Sequence, residues 1–354
     1  MDLTTLCRRR PLLKRSGWAF ASGFGARREI RGGILGVLLA AGCVVAGPAL
    51  AQEPLYVKNL SPVSGLLGLP SQRLADTSPV GTLNLAFHAS VANNYVAEVR
   101  NAETVNLDGE TLRLALELRY AFADDWDVQL EVPWLDHSEG QLDSLIDNWH
   151  DFWGMSDGGR SDVPRDLLDI RYEGNGAFAL EDEVSGIGDT SLSLNYRFFH
   201  DASSVASIAL GYKFGTGEEG EFLGSGADDA FLVVRFSGDH QADLPLRWHG
   251  QLGYLRAGNS DLLGDAQERD LWFAGLSLDW VLSPRWSLLA QVDSHAAPMD
   301  SGLTALGDEA VMLSGGVRWT FARAWALDFT VIEDVMVETA PDVTFQASLR
   351  YRPR

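Results

Sequence analysis

The chain has 354 residues, with 49 Asp and Glu against 28 Lys and Arg, and a net charge of −21 at neutral pH. That acidity argues against a nucleic-acid partner, because phosphate binding needs a basic footprint, but it leaves divalent cations open. Both cysteines, Cys7 and Cys43, lie near the start, so no disulfide framework and no thiolate chemistry is available downstream.

Arg27, Arg28 and Arg31 precede an apolar run from Ile34 to Ala46, and Ala49-Leu50-Ala51 follows it. A basic flank, a short apolar core and a small-x-small site make a secretory signal, with cleavage expected after Ala51. The core is shorter than the roughly 20 residues of a spanning helix. Two rival readings of this leader stay open. Leu39 to Cys43 has the form of a degenerate lipoprotein signal, which would acylate Cys43. Arg9-Arg10 suggests a twin-arginine signal, but it lies too far before the apolar core to act in the usual way. Residues 52–80 carry Pro54, Pro62, Pro70 and Pro79. They form either a periplasmic segment or a plug.

From residue 81 onward the governing pattern is period two, in which alternate side chains point to opposite faces of a strand. Weak alternation covers 81–92. In 112–122, Leu112, Leu114, Leu116, Leu118, Tyr120 and Phe122 alternate with Arg113, Glu117 and Arg119. After a three-residue turn, Trp126, Val128, Leu130, Val132 and Trp134 face away from Asp127, Gln129 and Glu131. Similar phrases cover 192–198, with Arg197 on the polar face, and 208–214, with Lys213. Weaker ones at 229–237 and 246–255 carry Arg235 and Arg247. The phrase returns at 272–280 with Asp279, 286–293 with Asp293, 311–321 with Arg318, 325–331 with Asp328, and 343–351 with Arg350.

These segments make twelve strands, an even number joined alternately by short turns and longer connections near 93–109, 137–187, 215–228, 256–267 and 296–308. Short periplasmic turns, long outer loops and an even count are the signature of an outer-membrane barrel. Hydrocarbon cannot satisfy backbone N–H and C=O groups, so the strands must close on themselves. Trp126, Trp286 and Trp325 open strands just after short turns, and Phe122, Phe198 and Phe321 close strands just before them; together they form one aromatic girdle. The expected fold is all-β: a closed antiparallel transmembrane barrel over 81–354, placed in a bacterial outer membrane. Its expected partners are outer-membrane lipid, lipopolysaccharide and, during biogenesis, the barrel-assembly machinery. A soluble barrel is the competing reading, but it would have to pack all these Leu and Trp side chains inside.

Several stretches resemble an uncharacterised family of Gram-negative outer-membrane proteins, a domain of unknown function. They are Asn59 to Pro62 with Gly68-Leu69-Pro70, Leu107 to Thr111, Glu131 to Trp134, Asp143 to Gly154 with Gly158-Gly159-Arg160, Gly186 to Asp189, and Leu223 to Asp228. The resemblance implies an outer-membrane barrel similar to other small channel-like barrels. It implies no activity, cofactor or site residue.

The polar faces define the lumen. Its candidate lining residues are Arg113, Glu117, Arg119, Asp127, Glu131, Arg197, Lys213, Arg235, Arg247, Asp279, Asp293, Arg318, Asp328 and Arg350. Mixed signs favour a network of ion pairs across a narrow lumen over a pore selective for one sign. The connection 137–187 is too long to be a mere linker. Leu142 to Trp153 follow helical spacing, so a partly helical lid or rim helix is expected, with Trp149, His150, Phe152 and Trp153 as lid candidates. Glu218, Glu219, Glu221, Asp228 and Asp229 make an acidic loop; the spacing matches no EF-hand, so no metal and no cofactor is assigned. His88 and Ser90 share the lumen face, which leaves a lipid-hydrolysing enzyme as the least favoured reading. The expected function is a passive channel or transporter for small solutes with a narrow charged lumen. The alternative is a non-conducting structural or surface-interaction barrel.

Overall fold

The computed structural model describes residues 52–140, 167–239, 245–335 and 338–353. The expected signal region 1–51 and the expected helical segment with Trp149, His150, Phe152 and Trp153 lie outside the described residues. The strands are β1 (Leu83–Arg100), β2 (Glu103–Ala123), β3 (Trp126–Ser138), β4 (Asp169–Gly174), β5 (Gly176–Leu180), β6 (Val184–Ile187), β7 (Thr190–His200), β8 (Ser204–Phe214), β9 (Asp229–Asp239), β10 (Leu246–Arg256), β11 (Asp270–Ser283), β12 (Trp286–His295), β13 (Ala310–Ala322), β14 (Trp325–Asp334) and β15 (Val343–Tyr351).

Twelve of these, β1 to β3 and β7 to β15, form the wall, each pairing antiparallel with the next in sequence. The wall closes where β1 meets β15, from Leu85 opposite Tyr351 to Asn93 opposite Val343. Closure leaves no strand edge to be satisfied by solvent. Among the described residues no helix is long and apolar enough to cross a membrane; any crossing falls to the strands.

Burial is inverted relative to a water-soluble protein. Leu276, Leu252, Leu210 and Phe329 are more than half exposed on the outer face, whereas Asp279, Asp127, Arg235 and Asp328 are at most 1% exposed. At the short-turn end the outer aromatics touch in series. Trp126 stacks on Tyr196 with ring centroids 4.5 Å apart. Trp286, Trp319, Phe321, Trp325 and Tyr351 run in one chain of contacts. This is the aromatic belt expected from the strand ends. Amphipathic rings settle where an apolar layer meets a wet one.

The structure corrects two expectations about the loops. Residues 93–109 are not a loop: β1 and β2 stay paired in register from Leu83–Tyr120 to Arg100–Glu103. The turn is only Asn101-Ala102, with Asn101 at φ 56°, a left-handed conformation that Asn tolerates. There the apolar phase switches sides: Val96, Val105 and Leu107 on the inward face are buried beneath the other loops, while Ala97, Val99 and Thr104 on the opposite face are exposed. The C-terminal part of the 137–187 connection is also strand. The β4–β5 hairpin extends the sheet from β2, and β6 continues β7 along β3.

A single outward substitution tests which solvent surrounds the wall. In lipid vesicles Leu276→Arg should lower stability by about 2–4 kcal/mol, the cost of a basic side chain near the bilayer midplane. Denaturant unfolding in vesicles measures it, and an effect within the roughly ±0.5 kcal/mol of an ordinary surface change would place water outside.

Candidate functional site: a hairpin inside the charged lumen

Residues 52–78 pack against inward side chains of the wall. The segment enters at the short-turn end, where Gln52 accepts a hydrogen bond from Ser287 at 3.2 Å. It runs to a short 3-10 turn at Ser64–Leu66. It then returns to the short-turn end, where the Thr77 hydroxyl donates to the Asp124 carbonyl at 3.1 Å. Cross-links hold the two arms together: Lys58 to the Leu69 carbonyl at 2.7 Å, Ser71 to the Val57 carbonyl at 2.7 Å, and the Leu74 amide to Glu53 at 2.7 Å. The tip carries Val63 and Leu66 into an apolar cluster at the long-loop end with Val96, Leu107, Phe222, Leu263, Leu303 and Leu306. That cluster seals the outer end with hydrocarbon rather than with charge.

The geometry needs such a filler. About eight strands make a barrel that side chains can fill, and about sixteen leave an aqueous channel. Twelve strands fall between. The wall supplies room at chosen places: a Cβ on Gly316 would meet Leu55 Cδ2 at 2.8 Å, and one on Gly275 would overlap the Gln72 side chain. Small residues on the wall are the sockets for large residues on the hairpin.

All fourteen residues expected to line the lumen lie on the inward faces of their strands. Glu117, Arg197 and Arg350 are half-buried, and the others are buried. Their pairing differs from the expected cross-lumen network: the ion pairs run sideways along the wall or end on the hairpin. Arg318 grips Asp328 through Nε and Nη2 at 2.6 and 2.7 Å, and Arg350 Nε adds a third bond to Asp328 at 2.8 Å. These three sit on the adjacent strands β13, β14 and β15, where register alone brings them together. Glu131 takes Arg113 at 2.7 Å, the Tyr56 hydroxyl at 2.8 Å and Lys58 at 3.5 Å. Asp127 takes Arg73 at 2.8 Å, and Arg119 pairs with Glu53. Asp76 holds Arg197 at the short-turn rim. Asp293 accepts from Gln72 at 2.7 Å. Near the tip, Lys213 reaches Asp189 at 2.6 Å, Asp229 at 3.2 Å and the Leu66 carbonyl at 3.1 Å. Arg247 lies 3.5 Å from Asp279. The reason for the sideways pattern is occupancy: the hairpin stands between opposite walls and supplies the counter-charges itself.

The sequence reading therefore missed Glu53, Tyr56, Lys58, Arg73 and Asp76 on the hairpin, and Asp189 and Asp229 on the wall. Their signal was present. A Pro-rich segment that also carries Tyr, Lys, Arg, Glu and Asp is unusually rich in pairing groups for a spacer. Tyr56 is the most committed of them. Its ring stacks on His88 with centroids 3.8 Å apart, and Gln346 donates to its carbonyl.

The His88–Ser90 pair does not form a nucleophile and base. His88 Nδ1 lies 2.8 Å from Ser348 Oγ, while Ser90 donates to Gln346 at 2.8 Å. A hydrolase needs the serine proton on a base, and here a carboxamide takes it. The acidic loop carboxylates are bound into the outer collar. Glu219 accepts from the Ser260 hydroxyl and the Leu262 amide, both at 2.8 Å. The Gly215 amide and the Tyr212 hydroxyl hold the Asp228 carboxyl below the usual carboxylate range. Glu103 takes Gly302 N–H at 2.7 Å and the Tyr172 hydroxyl at 2.8 Å, tying the β1–β2 tip to two neighbouring loops.

The shell is similar to solved outer-membrane barrels. The COG4313 outer membrane channel from Pseudomonas putida F1 aligns over 78% of this chain and 97% of its own, at 15% identity and a TM-score of 0.52. The NanC porin aligns over 76% and 100%, at 8% identity and a TM-score of 0.46. The toluene transporter TbuX of Ralstonia pickettii aligns over 84% and 98%, at 12% identity and a TM-score of 0.38. No curated protein matches the chain. The first of these likenesses supports the twelve-stranded closed architecture. The sequence matches the family described as "Protein of unknown function (DUF3187)" over residues 34–353, and the chain belongs to that family.

Proposed function

We propose that this protein is an outer-membrane channel for small solutes whose throughput is set by the hairpin of residues 52–80. The carrying observation is the inverted burial. The closed wall turns most of its leucine and aromatic side chains outward and keeps its charged groups inside, from Arg318 and Asp328 at one end to Lys213 and Asp229 at the other. Such a wall is stable with hydrocarbon outside, and its polar interior suits a hydrated or ionic cargo. Between the hairpin and the wall lies a cavity of about 100 Å³, and a second of about 90 Å³ sits beside Glu53, Arg119 and Arg318 at the short-turn end. Passage therefore requires the hairpin to shift.

A second reading has its own observation. The apolar seal around Val63 and Leu66 suits a barrel whose hairpin stays in place and whose role is structural. Conductance separates the two. In planar bilayers the unaltered protein should pass small, infrequent currents. A variant with residues 55–74 replaced by a short Gly-Ser linker should give steady openings of several-fold larger conductance. Equal currents from the two proteins, or none from either, would remove the channel reading.

The hairpin's dependence on charge pairing gives a separate test. Asp127→Ala strands Arg73, and breaking a buried pair costs about 3–5 kcal/mol. The loss should fall on hairpin docking rather than on the wall. Residues 52–80 should become accessible to protease while the barrel keeps its strand content by circular dichroism. A variant whose hairpin stays as protected as that of the unaltered protein would show that the pair does not anchor it.

A further inference from the structure

Among the described residues, every buried Lys and Arg of the lumen except one has a carboxylate within ion-pair distance. The exception is Arg235. It is 1% exposed, its Nε and Nη1 have no protein acceptor, and it takes part in no ion pair among the described residues. Asp127 and Glu53 are acidic groups whose charge reaches it, but these carboxylates are engaged by Arg73 and Arg119. A guanidinium stays charged in any protein. Burying it without a counter-charge is among the costliest arrangements a fold can keep.

Arg235 is also placed where something can reach it. In register it lies between Ser207 on β8 and Gln251 on β10. Its side chain lines the cavity of about 100 Å³, together with Gln72 and Arg73 of the hairpin and Ser193, Gln129 and Gln251 of the wall. Its neighbours in register, Ser207 and Gln251, carry no charge, and the carboxylates that line the same cavity, Glu117, Glu131, Asp189 and Asp293, are each held by another group. Ser207 Oγ, like Arg73 Nε, is buried without a partner. Arg73 and Arg235 thus both bring unpartnered donor nitrogens to a small cavity that contains a positive charge without its own counter-ion.

We propose that Arg235 is the centre of an anion site inside the lumen, and that it binds a small oxyanion, a carboxylate or phosphate. The planar fork of the guanidinium matches two oxygens of such a group, and the serine hydroxyl donates a further bond. The volume limits the ligand to a few heavy atoms. The site stands whether or not the barrel conducts. If it conducts, the site makes anions the favoured cargo in a protein whose net charge is −21.

The test uses the full barrel in detergent with HEPES, too bulky for the cavity, as the only anion. Thermal unfolding is followed while acetate or inorganic phosphate is added. The unaltered protein should gain stability saturably with at least one of them, and which one identifies the ligand chemistry. Arg235→Gln should melt at or above the unaltered protein in HEPES alone, because a lone buried charge has been removed, and should gain nothing from either anion. Arg235→Lys should keep a weakened response, its affinity reduced by about tenfold or more through loss of the bidentate fork. No saturable gain in the unaltered protein, or the same gain in Arg235→Gln, would overturn the proposal. Because nothing here reads current, a silent barrel in bilayers leaves this result intact.

Discussion

One constraint governs the molecule: the outer face of a closed sheet in hydrocarbon has no place for charge. Each strand must therefore turn its Arg, Asp, Glu and His inward, and the interior of a twelve-stranded wall becomes crowded with groups that water would normally separate. The low dielectric of that interior strengthens every attraction and every mismatch alike. Register answers part of the difficulty, by setting Arg318 opposite Asp328. The rest needs a second surface. The hairpin of 52–80 provides it, with Glu53 for Arg119, Arg73 for Asp127 and Asp76 for Arg197. The polar core of this protein is thus shared between wall and insert, much as a hydrophobic core is shared between layers of a soluble domain.

The two ends of the lumen are finished differently. At the short-turn end, charged residues and the aromatic belt mark the boundary between lipid and water. At the long-loop end, Leu107, Phe222, Leu263 and Leu306 close over the hairpin tip, and hydrogen bonds accepted by Glu103 and Glu219 tie the loops to one another. Ordering a residue costs about 1–2 kcal/mol, whereas an ordinary hydrogen bond returns about 1. Docking of the insert therefore depends on the buried charge pairs and on the apolar tip, and weakening either shifts it disproportionately.

The wall was legible in the sequence because its physics is local and periodic. Leu112 to Phe122 and Trp126 to Trp134 state their two faces residue by residue, and a three-residue turn between them fixes the hairpin. Legibility ended where a second layer covers the sheet. Around Asn94 to Leu107 the buried apolar residues switch to the inward face of β1 and β2 while the outward face stays exposed, and polar residues with Asn101 read as a loop. The hairpin was illegible for a related reason. A segment without secondary structure of its own carries no period, and its Pro residues fit a linker as well as an insert. Its partners lie far along the chain, 54 positions away for Arg73 with Asp127 and 221 for Gln72 with Asp293. The inward charges were identified correctly by face, but the direction of their pairing depends on what stands between the walls, and no strand records that. His88 shows the same limit: its face was readable, but its stacking on Tyr56 was not.

The two arms of the insert share a doorway. Gln52 and Thr77 both lie at the short-turn mouth, so the segment is looped through the barrel rather than threaded along it. No chain end has to travel the bore for the segment to leave. It can be drawn out like a bight of rope, with every β1–β15 hydrogen bond of the seam still made, and pushed back by the same route. A plug spanning from mouth to mouth would have to unravel or breach the wall; this one is topologically free to come and go.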